Sequence, residues 1–129
     1  MTHVADTHSL VWYLEDNPRL GPNARIALKN PETKLVIPTI VLAEIAFLYG
    51  RQRIAVDVSR VYRYIADATN TVIYPLDELV VEQLQSSLNI HDAIIVATAL
   101  LFRDVLGETT AVISKDTEIV ASGLVEVVW

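Results

Sequence analysis

Cysteine is absent from the 129 residues, which excludes a disulfide scaffold and any thiolate metal site. Glycine (four) and proline (five) are scarce, so long flexible linkers are not expected. Uninterrupted apolar runs are short. The longest, Ile40 to Tyr49 and Ala93 to Phe102, fall below the ~18 residues of a membrane span, and the first contains Glu44. No membrane association is expected. Positive charge is in deficit: ten Lys and Arg against 16 Asp and Glu give a formal net charge of −6. That excludes a basic nucleic-acid-binding surface covering the protein, although not a local basic patch. Met1 to Asp6 shows neither the basic nor the apolar segment of a signal peptide, and the expectation is a cytoplasmic protein.

What is present is apolar. Hydrophobic residues make up 52% of the chain and charged residues 20%, with a mean hydropathy of +0.36. This composition excludes disorder, and the length predicts one domain over residues 1–129, domains typically running ~100–150 residues. So hydropathic a small chain is expected to cover part of its apolar surface with a partner. A homodimer is predicted, using the helices that start near Ile40 and Asp57.

Strand and helix patterns alternate along the chain. Thr2 to Ala5 is a short strand ending at Asp6, and Ser9 to Leu14 reads as a helix closed before Pro18. Helices follow over Pro22 to Lys29 and, after the strand Leu35–Ile37, from Pro38 and Thr39 through Tyr49, with Gly50 as the stop. Asp57 to Ala68 is helical in period, and Thr71 to Tyr74 is β-rich. Asp77 to Leu88 and Ile90 to Arg103 are predicted helices, with Asp77 and Asn89 as N-caps. Ala111–Ile113 and Val125 to Trp129 complete the strands. Apolar rather than alternating strands, separated by helices, predict an α/β fold with a mainly parallel central sheet and helices on both faces. Ligands in such folds bind beyond the carboxyl ends of the strands.

Four carboxylates stand out against that frame. Asp6 and Asp116 each follow an apolar strand, as turn residues, helix caps or ligands. Glu44 shares a helical face with Ile40, Val41, Phe47 and Leu48, and a glutamate there must be paired, protonated, metal-bound or snorkelled at a rim. Asp92 lies in the first turn of its helix, either complementing the dipole or serving a site. All four are placed to converge at the carboxyl edge of the sheet, where mutual repulsion would call for a cation. Without cysteine and with scattered histidines the donors are all oxygen, which suits Mg²⁺ or Mn²⁺.

The chain resembles PIN-domain ribonucleases, and among them VapC-type toxins of toxin–antitoxin pairs. The resembling blocks run in order: Asp6-Thr7-His8-Ser9-Leu10-Val11-Trp12-Tyr13-Leu14, Leu42-Ala43-Glu44-Ile45, Gly50-Arg51-Gln52-Arg53-Ile54, Asp92 to Leu100, Val112-Ile113-Ser114-Lys115-Asp116 and Val127-Val128-Trp129. The third acidic block departs from many relatives in carrying one acid, Asp92, and Glu118 is a candidate for the further acid. The resemblance implies a three-layer α/β/α sandwich, with Asp6, Glu44, Asp92 and Asp116 as metal ligands and catalytic residues. It also implies an RNA substrate and an antitoxin partner.

Several residues are secondary candidates. Ser114 reads as a partner of Asp116 or a metal-bound water, or as an ordinary strand-end serine. Thr7 is a similar case, and Thr98 is expected to bond back to its own helix. Arg51 and Lys115 are candidates for RNA phosphates, and Arg53 for a solvated surface. His8 and His91 flank the acids in sequence. Trp12, Tyr13 and Phe47 suit a core or interface better than base stacking. Two other readings compete: a non-catalytic interaction module of the same fold, and a phosphoacceptor receiver domain. The receiver fits least, since the first strand here ends in a single Asp6 where a receiver carries an acidic pair, and Tyr74-Pro75-Leu76-Asp77 is a poor phosphoacceptor site.

Overall fold

Strands β1 (Thr2–Ala5), β2 (Lys34–Pro38) and β4 (Thr110–Ile113) are buried at every position except Lys34. Successive side chains of a strand point to opposite sides, so only a sheet covered on both faces accepts such runs. In the computed structural model, which describes residues 1–129, these three strands form the middle of a five-stranded sheet. All its pairings are parallel, in the order β3–β2–β1–β4–β5. The edges are β3 (Thr71–Tyr74) and β5 (Glu126–Val128), both only partly covered.

Seven helices flank the sheet: α1 (Thr7–Leu14), α2 (Pro22–Lys29), α3 (Thr39–Gly50), α4 (Val58–Asp67), α5 (Glu78–Glu82), α6 (Ile90–Leu100) and α7 (Thr117–Ser122). Five of them start at an Asp or Asn whose side chain accepts a backbone N–H of the first turn: Asp6, Asp57, Asp77, Asn89 and Asp116. Helix α6 is apolar all round, and every residue from Ala93 to Leu100 is buried. A helix of that kind belongs at the centre. It packs on β1, β4, α3 and α5. The main core joins Val4, Leu10, Ile37, Val41, Ile45 and Ile113, each fully buried, and each contributes about 1.5–3 kcal/mol of transfer free energy.

Strand order places the functional edge. From β1 the chain crosses toward β2 on one side, while β4 leads to β5 on the other. The carboxyl ends of β1 and β4 therefore border the crevice where a parallel sheet reverses direction, the usual ligand position in such folds.

The structure corrects the sequence reading at several points. Asp77 to Leu88 was expected to be one helix, but α5 ends at Glu82. Gln83 and Leu84 close it with bonds to carbonyls three residues back, and Ser86 and Ser87 are poor continuers because their hydroxyls compete for the backbone. Helix α6 does not run regularly to Arg103; a π-helical turn covers Leu101–Val105. At the end of α3 the left-handed residue is Gln52 (φ 59°), not Gly50. Helix α1 begins at Thr7 rather than Ser9, because Asp6 itself is the cap. Helix α7 was not anticipated. Its signals are Asp116 as N-cap and Gly123 as a left-handed C-cap (φ 65°).

Candidate metal centre

Both strand-end aspartates are helix caps, and this capping aims them. Asp6 Oδ1 accepts from Ser9 N at 2.8 Å, and Ser9 Oγ donates to the Asp6 carbonyl at 3.0 Å. Asp116 Oδ1 accepts from Glu118 N at 2.8 Å and Ile119 N at 3.3 Å. The buried Ser114 hydroxyl accepts from Asp116 N at 3.0 Å, which fixes the turn between β4 and α7. Capping uses one oxygen of each carboxylate and leaves Oδ2 without a protein donor. Asp92 is held by its own cap residue: Asn89 Nδ2 donates to Asp92 Oδ2 at 2.7 Å, and Asp92 N donates to Asn89 Oδ1 at 3.0 Å. Its Oδ1 stays free. The cap and ligand readings of Asp6 and Asp116 are thus compatible, one oxygen serving each.

Asp6, Glu44, Asp92 and Asp116 line one cavity of about 240 Å³, with Thr7, His8, Asn89, His91 and Ile95. A close-set cluster joins two of these four to Glu118, which lines the adjoining cavity instead. One oxygen from each of Asp92, Asp116 and Glu118 lies within 4.8 Å of the others. Glu118 sits in the first turn of α7, and that helix sets its position.

The electrostatics are those of crowded acids. Burial pushes the Asp92 carboxyl above its usual range, and Asp116, Asp6 and Glu118 push it further against the Asn89 hydrogen bond. Glu44 is also raised, first by burial and then by Asp92, with His91 and Thr7 opposing. His91 Nδ1 lies 3.6 Å from Glu44 Oε1, an ion-pair distance too long for a hydrogen bond. Thr7 Oγ1 is near enough to favour the Glu44 carboxylate, yet it completes no hydrogen bond although Thr7 is 3% exposed.

That orphan hydroxyl bears on whether a cation fits. Buried polar atoms are nearly always partnered, and this one lines a cavity of carboxylates that repel each other. A hydrated divalent cation meets both demands, and an all-oxygen donor set suits Mg²⁺ or Mn²⁺. The residues present fit such an ion.

The secondary candidates divide. Lys115 lines an adjoining cavity of about 500 Å³ with Asp6, His8, Asn89, Asp116, Thr117 and Glu118. Arg51 is elsewhere, over the Phe47 ring at 4.9 Å. Thr98 Oγ1 donates to the Ile94 carbonyl at 2.8 Å, as expected. Trp12 belongs to the core, whereas Phe47 is 60% exposed. It lines an apolar groove with Ile40, Ala43, Glu44, Leu48 and His91, and Glu44 therefore stands on a rim between that groove and the acidic cavity.

Comparison with known proteins bears on the family and the fold. A family model described as PIN domain matches residues 4–121. Two solved structures superpose over nearly the whole chain. One is the structure of VapBC2 from Rickettsia felis bound to a DNA fragment from their promoter, with a TM-score of 0.64 and 14% identity over 98% of this chain and 97% of that one. The other is VapBC-1 from nontypeable Haemophilus influenzae, with a TM-score of 0.63 and 16% identity over 98% and 96%. At these identities the likeness is one of fold. No curated protein sequence matches the chain significantly.

Proposed function

The chain belongs to the PIN domain family, and from that premise we propose that it is a metal-dependent ribonuclease, the toxin of a VapBC-type pair. Residues 1–129 form one domain that hydrolyses RNA phosphodiester bonds in the cytoplasm. The observation that carries this reading is the cavity at the carboxyl edge, where Asp6, Glu44, Asp92 and Asp116 meet. Burial, and after it repulsion from Asp116 and Asp6, raises the Asp92 carboxyl, and Asp6, Asp92 and Asp116 each keep one oxygen without a protein donor.

In this reading Asp6, Asp92 and Asp116 hold Mg²⁺ or Mn²⁺, and Glu44 binds it directly or through water. Glu118 joins Asp92 and Asp116 as a further donor. Such an ion lowers the pKa of bound water and stabilises charge on phosphoryl oxygens. The protein's own part is to fix the carboxylates. Asn89 orients Asp92, Ser114 holds the Asp116 backbone, and Thr7 offers an unspent hydroxyl to a water of the site. The antitoxin partner rests on the block resemblance and on the VapBC names of the two solved structures.

Protein stripped with chelator should leave a single-stranded oligoribonucleotide intact, and Mg²⁺ or Mn²⁺ should restore cleavage. Cleavage that persists in chelator, or its absence with both ions, would overturn the reading; the second result is what a non-catalytic module gives.

A homodimer is part of the same reading. Phe47 and Tyr49 on α3 and Tyr62 on α4 are exposed, and a stable apolar interface typically buries ~2,000 Å² or more. Light scattering at micromolar concentration should report twice the chain mass; a monomer would refute the dimer.

A further inference from the structure

Lys115 stands beside Asp116 and shares a cavity with Asp6 and Glu118, yet its ammonium pairs with none of them. The four ion pairs of the structure leave it out. It lies instead over the indole of Trp12, 4.8 Å from the ring centroid. Trp12 is 8% exposed and is backed edge-on by Trp129 at 5.9 Å. The ring of His8 leans on the same indole at 5.5 Å and lines both the acidic cavity and its neighbour.

In a cavity with three acids, an aromatic face is an unusual place for a lysine to rest. A lysine paired with Asp6 or Asp116 would compete with the cation those acids are placed to hold. Held by the ring quadrupole instead, the ammonium keeps donors that point away from the ring and into the cavity. The adjoining cavity has no hydrophobic lining, as a site for a charged, hydrated group should. We propose that Lys115, seated on Trp12 and flanked by His8, is the subsite for a phosphate of the RNA strand next to the one being cleaved. The inference rests on the ribonuclease reading and adds where the strand runs: from the acidic cavity toward Lys115, past α7.

The chain has only two tryptophans, Trp12 and Trp129, so selectively excited tryptophan fluorescence reports on this platform alone. The experiment uses the whole protein and a mixed-sequence single-stranded oligoribonucleotide. With Mg²⁺, Lys115→Met should raise KM about fivefold with a smaller change in kcat, and Lys115→Arg should restore KM. The slope of log affinity against log salt should fall by about 0.7, the value of one contact to a single strand. Binding is read separately by tryptophan fluorescence in the Asp92→Asn protein, which needs no cleavage. The oligoribonucleotide should change emission there, and Lys115→Met should weaken that response about fivefold. Cleavage by the wild type with KM and salt slope unmoved in Lys115→Met overturns the subsite and leaves the ribonuclease reading standing. Absence of cleavage with a Lys115-dependent fluorescence response overturns the ribonuclease reading and leaves the phosphate site. Lys115 is exposed, so its variants fold.

Discussion

Replacing Asp92 by Asn is expected to abolish metal-dependent RNA cleavage, by at least about a hundredfold, and to raise the melting temperature of the metal-free protein. Both effects come from one cause. Asp92 is half-buried at the start of α6 and is pushed toward protonation by burial and then by Asp116. Asparagine keeps the side-chain shape but removes a charge that only a cation rewards. Without metal, the protein is relieved of repulsion; with metal, it has lost a ligand. Such opposite effects on stability and activity mark a functional site. Asp6→Asn should lose activity equally and still fold, because asparagine caps a helix as well as aspartate does.

The sign of the pH dependence follows. A carboxyl raised in the folded state binds its proton more tightly there than in the unfolded chain. Its destabilising effect is present at neutral pH and fades as pH falls through the raised value toward the ordinary 3.8. The advantage of Asp92→Asn over wild type should therefore shrink on acidification across that window. Added Mn²⁺ should stabilise wild type at neutral pH and leave Asp92→Asn almost unmoved. Full activity in both the Asp6 and Asp92 variants, or a lower metal-free melting temperature for Asp92→Asn, would contradict the assignment.

The sheet and its carboxyl edge were legible because fully buried strands announce themselves. Val4–Ala5 at the end of the first strand and Ala111–Ile113 are apolar and followed closely by acids, and parallel pairing alone brings those acids to one edge. Glu44 was legible as an anomaly but not in its direction. Helix α3 is apolar on every side, burying Val41, Leu42 and Ile45 while exposing Phe47. Its periodicity therefore could not say which face turns inward, and only packing against α1 and α6 sets Glu44 on the rim. Glu118 was legible only as a candidate further acid, not in its position. Its place depends on α7, six residues long, and a helix that short leaves little periodic signal. The cap at Asp116 was readable, but an Asp after a strand reads as a turn just as well. The seat of Lys115 was hidden for another reason: Trp12 and Lys115 are far apart in the chain, and only the closure of β4 on β1 brings them together.

Adding a single methyl group at Gly21 is expected to destabilise the protein by about 1–3 kcal/mol, the usual range for overpacking, or roughly 4 °C of melting temperature per kcal/mol. The backbone is not the reason, since Gly21 sits at φ −63° and ψ 152°, which any residue adopts. The reason is Trp129. A Cβ at Gly21 would lie 2.5 Å from the Trp129 carbonyl carbon and 2.6 Å from its Cδ1, inside contact distance for both backbone and ring. Trp129 has little freedom to retreat. Its neighbour Val128 accepts from Ser114 N at 3.2 Å and pairs with Ile113 in the sheet. The ring itself backs Trp12. Any retreat therefore disturbs either the β4–β5 pairing that leads to Asp116 or the indole that seats Lys115. Gly21→Ala should consequently shift tryptophan emission and weaken oligoribonucleotide binding in the same direction as Lys115→Met, although Gly21 lines neither cavity. Gly50→Ala is the control. A Cβ there meets nothing within 4 Å, and at the end of α3 it should be neutral or stabilise by about 0.5–1 kcal/mol. Equal melting temperatures for the two variants would show that the Gly21–Trp129 contact is looser than the structure has it. A destabilised Gly21→Ala that binds RNA as wild type does would separate Trp129 from the seating of Lys115.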